Sequence, residues 1–189
     1  MRLVLARHGE TSWSRDHRHT STTDVELTAV GRAQAVALGR RLVGPFSRIL
    51  VSPLRRAGDT CRLAGFGDRA EVLGDLTEWR YGAYEGRTTE AIHDTRPGWS
   101  LWSDGAPDGE SPAEVGARAD RVLARLEGAS GDVVLFSHGH LLRVVTARWL
   151  GLPAAGGRLF RLSTGTLSLL GWERDTRVIL LWNAEVGQV

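Results

Sequence analysis

Leu3-Val4-Leu5-Ala6-Arg7-His8-Gly9 decides how the rest of the chain is read. Four apolar residues in a row, without alternation, describe a short strand buried on both faces, as the inner strands of a parallel sheet are. A second run, Asp132-Val133-Val134-Leu135-Phe136-Ser137, closes in the same way, on His138-Gly139. In an open α/β sheet, ligands sit beyond the carboxyl ends of the strands, where helix N-termini present free N–H groups. Neighbouring strands lie about 4.8 Å apart, so imidazoles at these two ends could grip one small tetrahedral anion between them. The glycines remove side chains where a ligand must approach the backbone. One His at a strand end reads more simply as a cap or a half-buried polar residue; two of them with an adjoining Arg favour a site.

Outward from these runs the chain alternates strand and helix. Residues 9–26 form a polar loop, long for a compact domain. Thr28 then caps a helix over Ala29 to Val43, which Gly44-Pro45 ends. Arg48 to Val51 reads as another buried strand, and Ser52-Pro53 as the cap and first position of a helix through about Ala64. Residues 65–110 read as an irregular, aromatic-rich insertion over one end of the sheet, with a short helix near Thr89 to Asp94. Ser111-Pro112-Ala113-Glu114 is a capping sequence for an amphipathic helix. After the strand Asp132 to Ser137, a helix runs from Gly139 to about Leu150. Strand-like segments follow at Arg158 to Leu162, Thr166 to Trp172 and Arg177 to Trp182, the last two joined as a hairpin. The expectation is one domain over residues 1–189: three-layer α/β/α, with a mostly parallel sheet and an antiparallel edge.

Composition narrows the functions available. The chain has 189 residues, 24 basic against 22 acidic, for a net charge of +2, too small for a polyanion-binding surface. All 24 basic residues are Arg, so any anion site must use planar guanidinium forks. The single Cys61 forms no intrachain disulfide, and neither Cys nor His shows zinc spacing, which points to a reducing cytoplasm and no metal. No apolar run approaches the ~20 residues that span a bilayer, and no signal peptide precedes the first strand. Neither nucleic acid nor membrane is an expected partner. A homodimer through an apolar edge of the last hairpin is compatible with the pattern.

Several segments share one order with a known family. Arg7-His8-Gly9-Glu10-Thr11 with Trp13, Leu27-Thr28 with Gly31, Ser52-Pro53-Leu54-Arg55-Arg56-Ala57, Glu78 with Tyr81-Gly82 and Tyr84-Glu85-Gly86, Gly109-Glu110-Ser111, and Ser137-His138-Gly139 resemble the landmarks of the histidine phosphatase superfamily, with its phosphoglycerate-mutase-like fold. Trp99, Trp102-Ser103-Asp104-Gly105 and His138-Gly139-His140 look most like the acid phosphatase and sedoheptulose-bisphosphatase-like branch. The resemblance implies that His8 is a nucleophile forming a phosphohistidine. It implies that Arg7, Arg56 and His138 hold the equatorial phosphoryl oxygens, and that Glu78 protonates the leaving alkoxide. Glu78 must be protonated for that role, so burial or crowding would have to favour its neutral form.

Other assignments stay open at this level. Glu85 and Glu90 compete with Glu78, and Arg55 with Arg56. Ser14, Thr20 and Ser21, in the loop after His8, are candidate phosphate contacts or groups bonding their own backbone. Tyr81 and Gly139 are candidate substrate contacts. His140 either faces substrate or fills a helical turn; His17 and His19 read as exposed. Trp99 and Trp102, three apart, read as one helical face packed on the core. No cofactor is called for. The sequence has no Lys and lacks the longer cover that mutases of the family share, so the expected substrate is a small phosphorylated metabolite that is hydrolysed. Phosphoglycerate mutase is the second reading, and a non-catalytic phospho-ligand module the third. A Rossmann nucleotide site would need GxGxxG after the first strand, and Arg7 to Thr11 do not supply it.

Overall fold

The computed structural model describes residues 1–185. Its single sheet contains β1 (Leu3–Arg7), β2 (Phe46–Val51), β3 (Glu71–Val72), β4 (Asp132–Ser137), β5 (Thr166–Glu173) and β6 (Thr176–Glu185), in the order β3-β2-β4-β1-β5-β6. β3, β2, β4 and β1 are parallel, and β5 and β6 add the antiparallel edge. The helices are α1 (Ser12–Arg15), α2 (Ala29–Arg41), α3 (Arg55–Leu63), α4 (Thr89–His93), α5 (Leu101–Asp104), α6 (Pro112–Ala124) and α7 (Gly139–Trp149). Two cores lie on opposite faces of the sheet. Leu3, Leu5, Leu50, Val133 and Leu135 point to the face covered by α6 and α7, where Val115, Ala119, Val122, Leu141 and Val145 are buried. Val4, Ala6, Ile49, Val51, Val134 and Phe136 point to the face where Ala57 and Cys61 of α3 pack. The uninterrupted apolar runs therefore follow from burial on both sides, as an inner parallel strand requires.

Helix starts follow their capping chemistry. Thr28 accepts the Gly31 N–H, and Ser111 forms a reciprocal capping box with Glu114 behind the N1 proline. The third helix does not begin at Ser52. Pro53 and Leu54 stay outside it, Leu54 being extended (ψ 134°), and α3 starts at Arg55. The Ser52 hydroxyl is instead 2.7 Å from His138 Nε2 and accepts the Leu54 N–H. The polar loop after β1 contains α1, capped by a Thr11–Ser14 box.

Arg158 to Leu162 is not a strand. A 3-10 turn covers Ala154–Leu159, and the carbonyls that follow are taken by side chains: Arg161 by the Trp182 indole and Leu162 by the Arg7 guanidinium. A ladder needs those carbonyls for a neighbouring strand. Trp99 and Trp102 do not share a helical face either, because α5 begins at Leu101. The last hairpin leaves Leu180 and Leu181 exposed.

The irregular segment between β3 and α6 is fixed by one buried ion pair. Arg118 of α6 donates Nε and Nη2 to the Glu110 carboxylate, and its remaining N–H groups reach the carbonyls of Asp75, Thr77 and Glu78. Glu110 also accepts the Arg80 N–H. Removing one partner of such a pair strands the other charge in the interior. Arg118→Met is expected to destabilise the protein by about 3 kcal/mol in urea unfolding, and Glu110→Gln added to it to restore part of the loss. An unchanged midpoint for the single variant would show that the pair carries no stability.

Candidate active site

The register of the central strands places the two histidines side by side. β1 and β4 pair Arg7 with Ser137, and the His8 N–H bonds the Ser137 carbonyl at 3.0 Å. His8 and His138 therefore leave adjacent strands at the same level, with ring centroids 5.2 Å apart. The chain after His8 is pinned by a backbone crossing: a Cβ at Gly9 would lie 2.2 Å from the Gly31 carbonyl oxygen. No other residue type fits there, which is the physical meaning of Gly31 in the first turn of α2. The Gly9 N–H donates to Thr60 of α3, so two neighbouring helices, α2 and α3, fix this residue.

That placement settles the state of His8. Its Nδ1 lies 2.7 Å from the Gly9 carbonyl, which can only accept, so Nδ1 carries the proton and Nε2 keeps its lone pair. Burial, reinforced by the charges of Arg56 and Arg7, holds the imidazole well below its ordinary range. His8 is thus neutral and locked in one tautomer.

A cavity of about 250 Å³ opens at this point, lined by Arg7, His8, Ser14, Thr20, Glu78, Tyr81 and Gly139 among the residues expected from sequence. Arg7 lies against Gly139, where a Cβ would stand 3.1 Å from its Cζ. His138, Arg56 and Ser21 are buried one layer behind the wall. Arg56 spends its terminal N–H groups on the carbonyls of Thr20, Ser21 and Thr23, so it shapes the loop as well as setting the field at His8. The Ser21 hydroxyl donates to Glu85, which also accepts the N–H groups of Ser21 and Thr23. Ser21 and Glu85 therefore hold the loop from behind. The Ser14 hydroxyl accepts the Thr11 N–H in the capping box of α1, and the Thr20 hydroxyl donates to the Arg18 carbonyl.

Glu78 is the carboxylate in the cavity, whereas Glu90 is exposed. Its Oε1 accepts the N–H groups of Trp79 and Leu141, and its Oε2 that of His140. Two of these donors are the unsatisfied first-turn groups of α7, so Glu78 caps that helix from a distant segment. Three buried nitrogens of the expected site, Arg7 Nε, Arg56 Nε and His138 Nδ1, lack a partner among the described residues. The two guanidinium nitrogens are unpaired donors, and with a neutral imidazole beside them they suit an incoming anion with several oxygens.

Three further residues of the cavity wall bear on its chemistry. His19 is buried, not exposed, and sits 4.8 Å from the Tyr81 ring; burial lowers its pKa to about 4. His140, left open by the sequence, joins the wall, with Tyr81 Oη 2.6 Å from its Nδ1. Arg143 stacks over Trp102 at 4.4 Å, and burial pushes its pKa down to about 10. The position of Arg143 one turn after His140 on the same helix was the only available signal for it.

Comparison with known proteins agrees with this geometry. The sequence profile of the histidine phosphatase superfamily (branch 1) matches residues 3–185. An acid phosphatase of Mycobacterium tuberculosis is 46% identical over 182 residues, covering 93% of this chain and 89% of that protein. A sedoheptulose 1,7-bisphosphatase of Saccharomyces cerevisiae is 34% identical, covering 80% of this chain and 68% of its own. The solved structure of an open reading frame from Mycobacterium tuberculosis superposes with a TM-score of 0.94 at 43% identity, over 98% of both chains. Fold, site geometry and relatives together place the chain in the histidine phosphatase superfamily, branch 1, as a phosphatase-like member.

Proposed function

We propose that the protein is a metal-independent phosphatase that hydrolyses small phosphomonoesters through a phosphohistidine on His8. The observation that carries this reading is the His8 ring: proton on Nδ1, donated to Gly9, and a lone pair on Nε2 within the cavity. In the first step Nε2 forms the N–P bond as the ester P–O bond breaks, in line. Arg7, with the buried charge of Arg56 and the free Nδ1 of His138 behind it, receives the charge that spreads over the equatorial oxygens. Guanidiniums thereby do the work that a bound cation does in other phosphoryl-transfer sites.

Glu78 supplies the proton that the departing alkoxide takes. Its Oε2 accepts one N–H where Oε1 accepts two, so Oε2 is the oxygen left to carry that proton. In the second step water forms the new O–P bond, the N–P bond breaks, and Glu78 takes the water's proton. A non-catalytic module has no use for a proton donor in the cavity. The small cavity and the absence of Lys favour hydrolysis over phosphate transfer between glycerate positions.

Turnover of p-nitrophenyl phosphate in the presence of chelator is the test, with His8→Ala expected to lose about three orders of magnitude or more in kcat. Rapid quench with labelled ester is expected to trap an acid-labile phosphoenzyme in the wild type and none in the variant. A His8→Ala protein as active as the parent would remove the mechanism. Movement of phosphate within a phosphoglycerate, without release, would favour the mutase.

Stability should follow pH with a defined sign. His8, His19, His138 and His140 are all held below the ordinary imidazole range, chiefly by burial. Below about pH 6.5 the unfolded chain binds protons that the folded one refuses, so stability falls as pH falls. For His19 the window runs from there down to about 4. The melting temperature is expected to drop between pH 7 and 5, and His19→Gln to flatten part of that slope. A flat profile would contradict neutral burial of these rings.

A further inference from the structure

Among the cavity residues, the pair Tyr81 and His140 does something that phosphoryl binding does not require. Tyr81 Oη and His140 Nδ1 are 2.6 Å apart, a single hydrogen bond in which either atom could in principle be the donor. The surroundings decide the direction. The Tyr81 hydroxyl has no other partner among the described residues, and the residue is 2% exposed. If His140 donated, the phenolic proton would be left buried and unpaired. A phenol is also the stronger donor and an imidazole nitrogen the stronger acceptor. Tyr81 therefore donates, Nδ1 accepts, and the ring proton of His140 resides on Nε2.

Nothing on the protein takes that Nε2 proton among the described residues. The ring stands in the cavity wall, with Trp102 at 5.3 Å and His19 at 6.0 Å between centroids, so it has little freedom to turn. Burial and the Arg143 charge keep it neutral, and burial keeps Tyr81 a phenol, so the arrangement persists around neutral pH. The backbone N–H of the same residue bonds Glu78 Oε2, the oxygen assigned to protonate the leaving group. His140 thus sits beside the place where the ester oxygen departs.

We propose that His140 is a specificity-determining residue whose Nε2–H binds an oxygen on the leaving group, and that Tyr81 is a positioning residue that fixes its tautomer. The ligand class selected is an ester whose alcohol carries a further acceptor oxygen close to the esterified carbon, as polyol phosphates do and simple alkyl phosphates do not. This inference rests on the phosphatase reading above. It removes Tyr81 from direct substrate contact and gives the second His of the Ser137-His138-Gly139-His140 run a role distinct from the first.

The test compares kcat/KM for glycerol 1-phosphate and propyl phosphate, three-carbon esters that differ only in two hydroxyls. The wild type is expected to prefer the glycerol ester by about tenfold. His140→Phe, which keeps a ring but no donor, should bring the ratio near one, and His140→Gln, which restores an N–H, should recover most of it. Tyr81→Phe should lower the ratio while retaining His140. In parallel, ¹⁵N NMR of the wild type, assigned by difference with His140→Phe, should show a protonated Nε2 and a bare Nδ1, mixed in Tyr81→Phe. A ratio that His140→Phe leaves unchanged, or a proton found on Nδ1, overturns the proposal while p-nitrophenyl phosphate turnover still stands. Loss of turnover by the wild type on every ester would instead overturn the phosphatase reading, and this one with it.

Discussion

The bond from the His8 N–H to the Ser137 carbonyl continues the parallel ladder one step past the end of β1, onto the last residue of β4. Everything chemical in the molecule depends on that continuation. A slip of one residue between β1 and β4 would turn His8 to the opposite face and separate it from His138. The register is held by the alternation of Leu3 and Leu5 with Val4 and Ala6, which fill two different cores. Two hydrophobic cores thus position one imidazole pair. A parallel sheet with both faces covered is rigid enough for this because neither face can shift without opening a core.

From that fixed point, geometry becomes chemistry through a carbonyl. The Gly9–Gly31 crossing leaves no slack in the backbone after His8, so the Gly9 carbonyl is held against Nδ1. A neutral, single-tautomer imidazole follows, made stable by burial and by two guanidiniums that penalise its protonation. The same cations that suppress the charge on His8 are the ones proposed to attract the anion. On the proposed mechanism one electrostatic arrangement serves both the nucleophile and its target, with no lysine in the chain.

The strands, the helix caps and the hairpin were legible because they rest on local rules: apolar runs, Thr28 and Ser111 as caps, and a four-residue turn before β6. The convergence of Arg7, His8, Glu78 and Gly139 was legible through order and resemblance. What escaped were contacts between distant segments. Ser52 reads as a cap, yet its hydroxyl is claimed by His138, 86 residues away. His19 reads as a loop residue among arginines, yet the Arg87 carbonyl takes its N–H and draws the ring beneath the aromatic cover. No periodicity signals such pairings, because each is fixed by a partner whose place only the folded sheet determines.

The same distinction explains how the proposed proton donor is built. Glu78 belongs to no helix or strand; it is carried by an irregular segment that Arg118 and Glu110 tie to α6. Its carboxyl then caps α7, the helix that follows His138. On the proposed mechanism, leaving-group chemistry and phosphoryl-binding chemistry are joined through the first turn of one helix, with His140 at the junction. Because Glu78 is held by backbone groups of α7 and not by side chains, substitutions along the cavity wall can alter which alcohol is accepted without displacing the acid.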